Sequence, residues 1–432
     1  MPQTKVAIVG LGTVGTGVAR LLVDFGDRLA RHAGRRLVLA QVVVKDPRKP
    51  REIHLPEGIL SDDLSRITDD PEITVVAMLI GGIEPARTIA LELLSSGKDI
   101  VTANKALLAA HGAELFDRAR ELGRSIAFEA SVAGGIPIIA NISQCLSANQ
   151  IESIHAILNG TSNYILTEME AHGQPYADAI REAQRLGYAE ADPAMDVDGT
   201  DAAQKLAILA HLAFGARADW TRIPRQGIDT LEVADLRYAK ELGYRVKLLA
   251  VAELTPVGLE LHVSPTLVKL GSPLAEVRGA YNAISVVGDA VGRVFFSGLG
   301  AGRMPTASAV VADLIDTVVG RAAITFRTLE LWSEGRARVA VSDYRNVSDR
   351  YYLRFGVADQ PSVLAEIAGL LGKEKISIAS VIQHEAEQGS QRVVPLVIMT
   401  HNTTEGAMCR AVEAIDRLPF MRGRSVRMRV RD

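Results

Sequence analysis

The sequence predicts an α/β protein in three parts: a Rossmann-type doubly wound parallel sheet, a second α/β domain, and a C-terminal ferredoxin-like βαββαβ domain. Three observations carry that reading. The glycine turn GLGTVG, Gly10 to Gly15, separates an apolar strand pattern from a helical one. Short apolar runs then alternate with helical patterns as far as Glu129. After a polar stretch from Ser333 to Arg350, the chain restarts with strict strand alternation and an amphipathic helix. The corresponding boundaries are 1–135 plus 303–330, 136–302, and 350–432.

Taken in order, Lys5 to Val9 reads as a strand, and Val14, Val18, Leu21, Leu22, Phe25 and Leu29 then repeat at helical spacing. A second apolar run, Leu37 to Val44, completes a parallel crossover unit. Strands follow at Val75 to Ile80, Asp99 to Thr102 and Ser125 to Glu129, with helices at Pro85 to Ser95 and Ala106 to Leu122 between them. Beyond Ile136 the alternation loosens: a strand at Ile151 to Leu158, further strands at Lys247 to Glu253 and Leu259 to Val268, and hairpin-like segments at Asn282 to Gly288 and Gly292 to Leu299. This second sheet can also serve as an oligomer interface. A long helix after Met304, apolar along Val310, Val311, Leu314, Ile315 and Val318, needs a sheet to cover it, and the first domain supplies one. In the last domain Tyr351, Leu353, Phe355 and Val357 alternate. Asp359 is the expected cap of the helix carrying Val363, Leu364, Ile367, Leu370 and Leu371. Strands at Ile376 to Gln383 and Arg392 to Thr400 flank a turn at Glu387 to Ser390; a helix at Thr403 to Leu418 and a strand through Val426, Met428 and Val430 finish the pattern.

The bulk chemistry narrows the function. A chain of 432 residues implies two to four domains, and 48% apolar with 23% charged residues is a globular composition. A net charge of −3 offers no electrostatic basis for nucleic acid or membrane-surface binding. Cys145 and Cys409 make neither a metal spacing nor a disulfide framework, and no signal peptide or membrane span is seen, so a reducing cytoplasmic setting is expected.

Five segments carry chemistry. In GLGTVG, Gly10 makes the turn, Gly12 admits a pyrophosphate and Gly15 lets helix and strand pack closely, while a helix N-terminus supplies donors to the phosphates. A tight packing turn with no ligand is the bland alternative. After the second strand, Asp46 is flanked by Lys45, Arg48 and Lys49, a mixed signal that leans to a 2′-phosphate and NADP over NAD; a solvated basic loop fits as well. Lys105 follows the strand through Ala103 and Asn104 and is aimed at the crevice where nicotinamide and substrate meet, although a helix-initial lysine capped by Asn104 has the same pattern. Glu129, before the small residues of FEASVAGGIP, suits a hard cation with oxygen ligands, or else marks a bare hinge. Finally, Leu186 to Leu209 crowds Glu190, Asp192, Asp196, Asp198 and Asp201 ahead of Lys205. Asp201 and Lys205, four apart, share a helix face. Taken alone, that cluster is a solvated loop with an ion pair behind it.

Together, GLGTVG, TANK ending in Lys105, EASVAGGIP, LNGTSNYIL, LGYAEADPAMDVDGTDAAQKLAIL and GAGRMPTASAVVADL resemble homoserine dehydrogenase, and YYLRFGVADQPSVLAEIAGLLGKEKISIASVIQ resembles an ACT domain. The resemblance spans essentially the whole chain. It implies NAD(P)-dependent interconversion of L-aspartate 4-semialdehyde and L-homoserine, a dinucleotide-binding, a substrate-binding and dimerisation, and a regulatory domain, a homodimer or homotetramer, and threonine as a candidate regulator. It also implies roles: Lys205 as acid/base, Asp201 as its paired carboxylate, and Lys105 near the nicotinamide. Glu190, Asp196, Tyr188, Gly160 and Thr161 would bind substrate. Glu129, Val132, Gly134 and Ile136 would hold a sodium ion, the last three through backbone carbonyls. Thr13, Val14 and Gly302 would line the dinucleotide, and Asp192 and Asp198 stay ordinary loop residues.

Two departures stand out. Met78 occupies a strand end where relatives often carry glutamate, and Ser362 stands where an ACT turn commonly has glycine, so its side chain would crowd a regulator's pocket. Two rival readings remain: an aspartate-semialdehyde dehydrogenase, which needs a thiolate that neither cysteine's surroundings suggest, and an amino-acid sensor on a non-catalytic scaffold.

Overall fold

The computed structural model describes residues 2–329, 339–384 and 393–432. The expected turn at Glu387 to Ser390 and the start of the polar stretch at Ser333 lie outside the described residues.

The chain begins with β1 (Gln3–Val9), α1 (Thr13–Asp24), α2 (Gly26–Ala33), β2 (Arg36–Val43), β3 (Leu60–Ser61), α3 (Ser65–Thr68), β4 (Ile73–Met78), α4 (Ala86–Ser95), β5 (Asp99–Thr102), α5 (Lys105–Glu121) and β6 (Ile126–Ala127). All six strands are parallel in the order β3-β2-β1-β4-β5-β6. Chain order reverses between β1 and β4, and in an open parallel sheet ligands bind outside the strand ends at such a switch point. The helix expected from Val14 to Leu29 is two helices, broken at Phe25 (φ −122°, ψ 22°), where Gly26 lowers helix propensity. The strand expected at Ser125 to Glu129 is only two residues long, because Glu129–Ser131 already turns as a 3₁₀ helix.

The chain continues with α6 (Ile138–Ala140), a π-helical turn at Asn141–Cys145, β7 (Ile151–Ile157), α7 (Gly160–His172), α8 (Tyr176–Arg185), α9 (Ala194–Val197), α10 (Thr200–Phe214) and α11 (Val233–Glu241). Then come β8 (Tyr244–Thr255), β9 (Gly258–Lys269), β10 (Tyr281–Gly288), β11 (Gly292–Leu299), α12 (Arg303–Val318) and α13 (Arg321–Leu329). The last part holds β12 (Ser348–Ala358), α14 (Val363–Lys373), β13 (Ile378–Gln383), β14 (Val393–Thr400), β15 (Thr403–Thr404), α15 (Glu405–Asp416) and β16 (Val426–Arg431), which is the expected βαββαβ order with one extra short strand.

These elements fall into two compact units. One comprises Met1–Ser153, Ala203–Arg222 and Tyr281–Ala340; the other comprises Ile154–Ala202, Ile223–Ala280 and Val341–Asp432. In the first, the apolar face of α12 packs as expected against the parallel sheet: Val310, Val311 and Leu314 share a core with Val6, Ile8, Val42, Val75 and Val101. Gly17 permits that approach, since a Cβ there would lie 2.8 Å from Ala307 Cβ. The antiparallel hairpin β10–β11 belongs to the same unit.

The second unit contains the strand order β8-β9-β16-β12-β14-β13, with β15 on β12. The C-terminal domain has its own core of Tyr351, Leu353, Phe355, Ile367, Leu396, Ile398, Met408 and Ile415. It nevertheless shares a sheet with its neighbour, because β16 runs parallel to β9, with Arg429 beside Thr266 and Val430 beside Leu267. Ion pairs reinforce the seam. Arg354 grips Asp235 bidentately at 2.6 and 2.9 Å, and the Tyr352 hydroxyl donates to the same carboxylate at 3.1 Å. Asp235 is 0% exposed, so either partner left alone would be an uncompensated buried charge. Within the C-terminal domain, Glu405 pairs with Arg427 (2.7 Å) and accepts from Arg429 (2.6 Å) and the Tyr351 hydroxyl (2.7 Å). Asp359 does not cap α14; the residue before the helix is Ser362, in a left-handed conformation (φ 76°) with no side-chain cap.

Candidate active site

The glycine turn lies at the carboxyl ends of β1 and β4. Gly10 has φ 97°, its N–H donates to Val43 O (2.8 Å), and a Cβ there would meet Ile80 Cγ2 at 2.8 Å and Leu79 O at 2.9 Å. A Cβ on Gly15 would fall 2.1 Å from Gly10 O, the close helix–strand packing its place in the motif requires. Gly12 differs: nothing lies within 4 Å of its ideal Cβ, so the space above it is open. Gly12 and Thr13 are exposed and Val14 is half-buried, as suits residues bordering a ligand. Lys45, Asp46, Arg48 and Lys49 are all exposed, and Asp46 Oδ1 accepts from Arg48 N at 2.9 Å. Arg51 bridges the two loops, donating to Leu11 O (3.2 Å) and Asp46 O (2.7 Å).

Lys105 opens α5 three residues beyond β5. The Asn104 side chain caps this helix by accepting from Leu107 N (3.0 Å), and its amide donates to Ile80 O (3.0 Å) and Gly82 O (2.7 Å). Thr102 Oγ1 donates to Met78 O (3.1 Å). The segment after β4 therefore meets both Gly10 and Asn104, which puts Lys105 and the glycine turn at one edge of one sheet. The cap alternative for Asn104 holds, and it fixes the lysine's helix rather than competing with a role for the lysine.

The Glu129 region is built from backbone. Both Glu129 carboxylate oxygens accept N–H groups, from Ile139 and Ala140 at 2.8 Å each, and Glu129 N donates to Asp313 Oδ2 at 2.8 Å. Burial raises the Glu129 carboxyl to about 7 against those hydrogen bonds, and burial likewise pushes Asp313 well above the usual carboxylate range. A cavity of about 60 Å³ adjoins Glu129, lined by Phe128, Asp313, Asp316, Leu212 and Phe326 among others and by none of the predicted catalytic or substrate residues. Ala133 (φ 50°) bends the chain between Val132 and Gly134. A Cβ on Gly134 would meet Gly300 O and Thr306 Oγ1 at 2.9 Å, while Gly135 N donates to Leu299 O at 3.0 Å. Gly302 (φ 119°) sits just beyond, before α12. Among the described residues no group of three or more His, Cys, Asp or Glu could hold a metal ion. Of the three carbonyls expected to face a cation, that of Ile136 accepts from Ile138 N at 2.8 Å.

The acidic loop is assembled by side chains. Asn159 precedes α7; its Oδ1 accepts from Ser162 N (2.8 Å) while its amide nitrogen donates to Asp196 Oδ1 (2.7 Å) and Asp201 Oδ2 (2.9 Å). One amide thus keeps two carboxylates close. Ser162 Oγ donates to Asp196 O (2.6 Å), and Thr161 Oγ1 to Tyr188 O (2.6 Å), so Gly160 and Thr161 open a helix whose first turn holds the loop. The Tyr188 ring packs on Tyr164 at 4.9 Å, and Gln184 donates to the carbonyls of Glu190 and Ala191 at 3.2 Å. Glu190 is exposed. Asp192 and Asp198 accept from Ala194 N (3.1 Å) and Thr200 N (2.7 Å), the local turn-making uses expected of ordinary loop residues. On α10, Asp201 and Lys205 stand one turn apart, at 4% and 9% exposure. That burial removes the solvated-surface reading of the pair.

Sequence reasoning passed over Asn159, Asp313 and Arg51. Asn159 was detectable: an asparagine between an apolar strand and Gly-Thr-Ser is a helix-cap signature. Asp313 meets Glu129 across 184 positions and Arg51 meets Leu11 across 40, separations that no local pattern shows. Behind α7, Lys247 is buried and donates to Asn163 Oδ1 (2.9 Å) and to Val277 O. Burial lowers it to about 7.

Comparison with known proteins shows the family of the chain. The profile for the homoserine dehydrogenase family matches residues 137–315, that for the homoserine dehydrogenase NAD-binding domain residues 10–129, and that for the ACT domain residues 351–420. The chain is 43% identical to a homoserine dehydrogenase of Pseudomonas aeruginosa, covering 100% of this chain and 99% of the relative, and 38% identical to that of Bacillus subtilis, covering 94% and 93%. A crystal structure of a homoserine dehydrogenase from Thiobacillus denitrificans superposes with a TM-score of 0.91 at 40% identity over 100% of this chain and 99% of that one. A hyperthermophilic archaeal homoserine dehydrogenase mutant in complex with NADPH covers 73% of this chain and 97% of its own, with a TM-score of 0.61 at 26% identity. With a nucleotide turn at the switch point, a buried acid and lysine on one helix, and full-length relatives, the chain belongs to the homoserine dehydrogenase family, with a C-terminal ACT domain.

Proposed function

We propose that this oxidoreductase interconverts L-aspartate 4-semialdehyde and L-homoserine with Lys205 as the acid/base, in amino-acid biosynthesis leading to threonine, methionine and isoleucine. The carrying observation is the buried Asp201–Lys205 pair on α10, with Asp201 tied through Asn159 to the acidic loop. A bound nicotinamide dinucleotide supplies or takes the hydride. Gly10, Gly12, Thr13, Val14, Gly15 and Gly302 would line it, and the open space above Gly12 fits a pyrophosphate. NADP is favoured over NAD: Asp46 is engaged in its own turn while Lys45, Arg48 and Lys49 are exposed for a 2′-phosphate.

In reduction, the aldehyde oxygen gains negative charge and then a proton. Lys205 donates that proton and, in the oxidative direction, removes it from the homoserine hydroxyl; Asp201 orients the ammonium. Lys105 polarises the carbonyl from the β5 strand end. Glu190, Asp196 and Tyr188 with the start of α7, at Gly160 and Thr161, hold the amino-acid end, Glu190 by pairing the α-ammonium. A sodium ion would be held by the carbonyls of Val132, Gly134 and Ile136, with Glu129 ordering that segment through α6 and contributing its remaining lone pairs. The protein acts in the cytoplasm as a homodimer or homotetramer, and its ACT domain is a threonine site narrowed by Ser362.

Absorbance of the reduced cofactor at fixed homoserine, compared for NAD and NADP, with sodium or potassium, and with or without threonine, tests these readings together. Lys205→Ala should lower kcat by about 10²- to 10⁴-fold with folding unchanged. Near-normal turnover would remove Lys205 from the role. The sensor alternative ends with any measured hydride transfer, and the thiolate alternative with full activity in Cys145→Ser.

A further inference from the structure

The acidic loop leans on a second segment of the chain. Between the 3₁₀ turn at Trp220–Arg222 and α11, residues Pro224 to Ile228 run along β9: Val263 N donates to Pro224 O and Gln226 N donates to Val263 O, both at 2.9 Å, and Arg225 bridges to Val263 in parallel. Two residues on, Ile228 N donates to Val197 O at 2.9 Å. Between those anchors is Gly227, where a Cβ would fall 2.4 Å from Val197 O, 2.8 Å from Asp198 Cα and 2.9 Å from Asp229 Oδ1. The loop reciprocates at Gly199 (φ 86°), whose Cβ would meet Val263 Cγ1 at 3.1 Å and Arg225 Cβ at 3.6 Å. Only glycine lets the two backbones approach this closely.

The same segment touches the C-terminal domain. Gln226 Nε2 donates to Arg427 O on β16 at 3.2 Å, and the Arg427 side chain is paired with buried Glu405. Gln226 therefore has its main chain on β9 and its side chain on the strand that joins the C-terminal domain to β9. Its successors bear on Val197, the residue next to Asp196.

We propose that Arg225–Ile228 is a positioning strap that sets Asp196 for the amino-acid end of the substrate and fixes the loop's position relative to the C-terminal domain through Gln226. The strap touches no reacting atom. It acts through Val197 O and Asp198, whose displacement would pull Asp196 from the Asn159 amide, and misplacement of about 1 Å at a binding group is costly. This inference rests on Asp196 being a substrate ligand.

The test measures KM for homoserine, KM for the cofactor and kcat on the full chain for Gly227→Ala, Gln226→Leu and, as reference, Asp196→Asn, with amide exchange followed over peptides spanning 194–203. Gly227→Ala is expected to raise the homoserine KM about tenfold or more, leaving the cofactor KM within about twofold. Gln226→Leu, which removes one hydrogen bond, is expected to raise it about two- to tenfold and to speed exchange in the loop but not in the C-terminal core around Ile367 and Leu396. If Gly227→Ala fails to fold, Gln226→Leu carries the test alone. An unchanged homoserine KM in the strap variants alongside a raised one in Asp196→Asn overturns the strap and leaves the site reading intact. An unchanged KM in Asp196→Asn overturns the site reading and the strap with it. Equal losses for both substrates with a lowered Tm mark a merely structural segment and also overturn the proposal.

Discussion

The glycine turn of β1–α1 and the acidic loop before α10 both lead into the start of a helix, yet they are held in opposite ways. The turn is fixed by the absence of side chains: Gly10 and Gly15 are pressed against backbone, and Gly12 alone faces open space. The loop is fixed mainly by side chains, as Asn159, Ser162, Thr161 and Gln184 each hold one part of it, with close backbone approach confined to its end at Gly199 and Gly227. A loop made by steric exclusion tolerates almost no added volume, whereas one made by hydrogen bonds fails gradually, bond by bond.

The sharpest break in that contrast is Gly15→Ala. Its Cβ has no room beside Gly10 O, so loss of soluble protein or a destabilisation of about 3 kcal/mol or more is expected in chemical denaturation. Next is Asn159→Ala, which leaves the Asp196 and Asp201 carboxylates without their shared donor. A fall in kcat/KM of about 10- to 100-fold is expected, with the cofactor KM unchanged. Gly12→Ala should be smaller and of a different kind: with nothing within 4 Å, Tm stays near the parent value while cofactor Kd rises about tenfold in a fluorescence titration. If Gly12→Ala instead lowers Tm as Gly15→Ala does, the distinction between ligand-facing and packing glycines fails.

An effect of another kind, seen only as a pH dependence, concerns Lys247 behind the loop's supporting helix. Its folded-state value, about 7, lies below its ordinary 10.5, so between those limits the unfolded chain binds the extra proton and stability rises with pH. The cost of burying the charged form is fully present below pH 7. Lys247→Met should flatten the pH dependence of unfolding between about pH 7 and 10, and an unchanged slope would assign it to other groups.

The contrast also explains what was legible in the chain. Glycine spacing, alternation and helical periodicity are local, so the parallel sheet, α12 against it, and the βαββαβ order follow from the sequence alone. The break at Phe25 depended on a single glycine set against a longer helical pattern. The cap of α14 was misassigned to Asp359 because proline and serine in the same turn left several starts open, and the left-handed Ser362 is set by tertiary packing. Lys205 and Asp201 were visible as an i, i+4 pair, but their burial was not, because burial is set by tertiary packing. Asn159 joins residues 37 and 42 positions away, and Gln226 reaches Arg427 201 positions on, so neither contact leaves a periodic trace.

The seam between β9 and β16 bears on how freely this ACT domain could be exchanged. A βαββαβ module with its own core looks portable, a part to be grafted from one relative to another. Here it is keyed: Asp235 lies in α11, Arg354 in β12, and Arg431 reaches Glu253 of β8 at 2.9 Å. A chimera carrying the module without Asp235 would leave the Arg354 guanidinium buried and unmatched, whereas Arg431 would keep Asp349 within the module, so lineages exchanging this domain would have to exchange Arg354 and its acidic counterpart together.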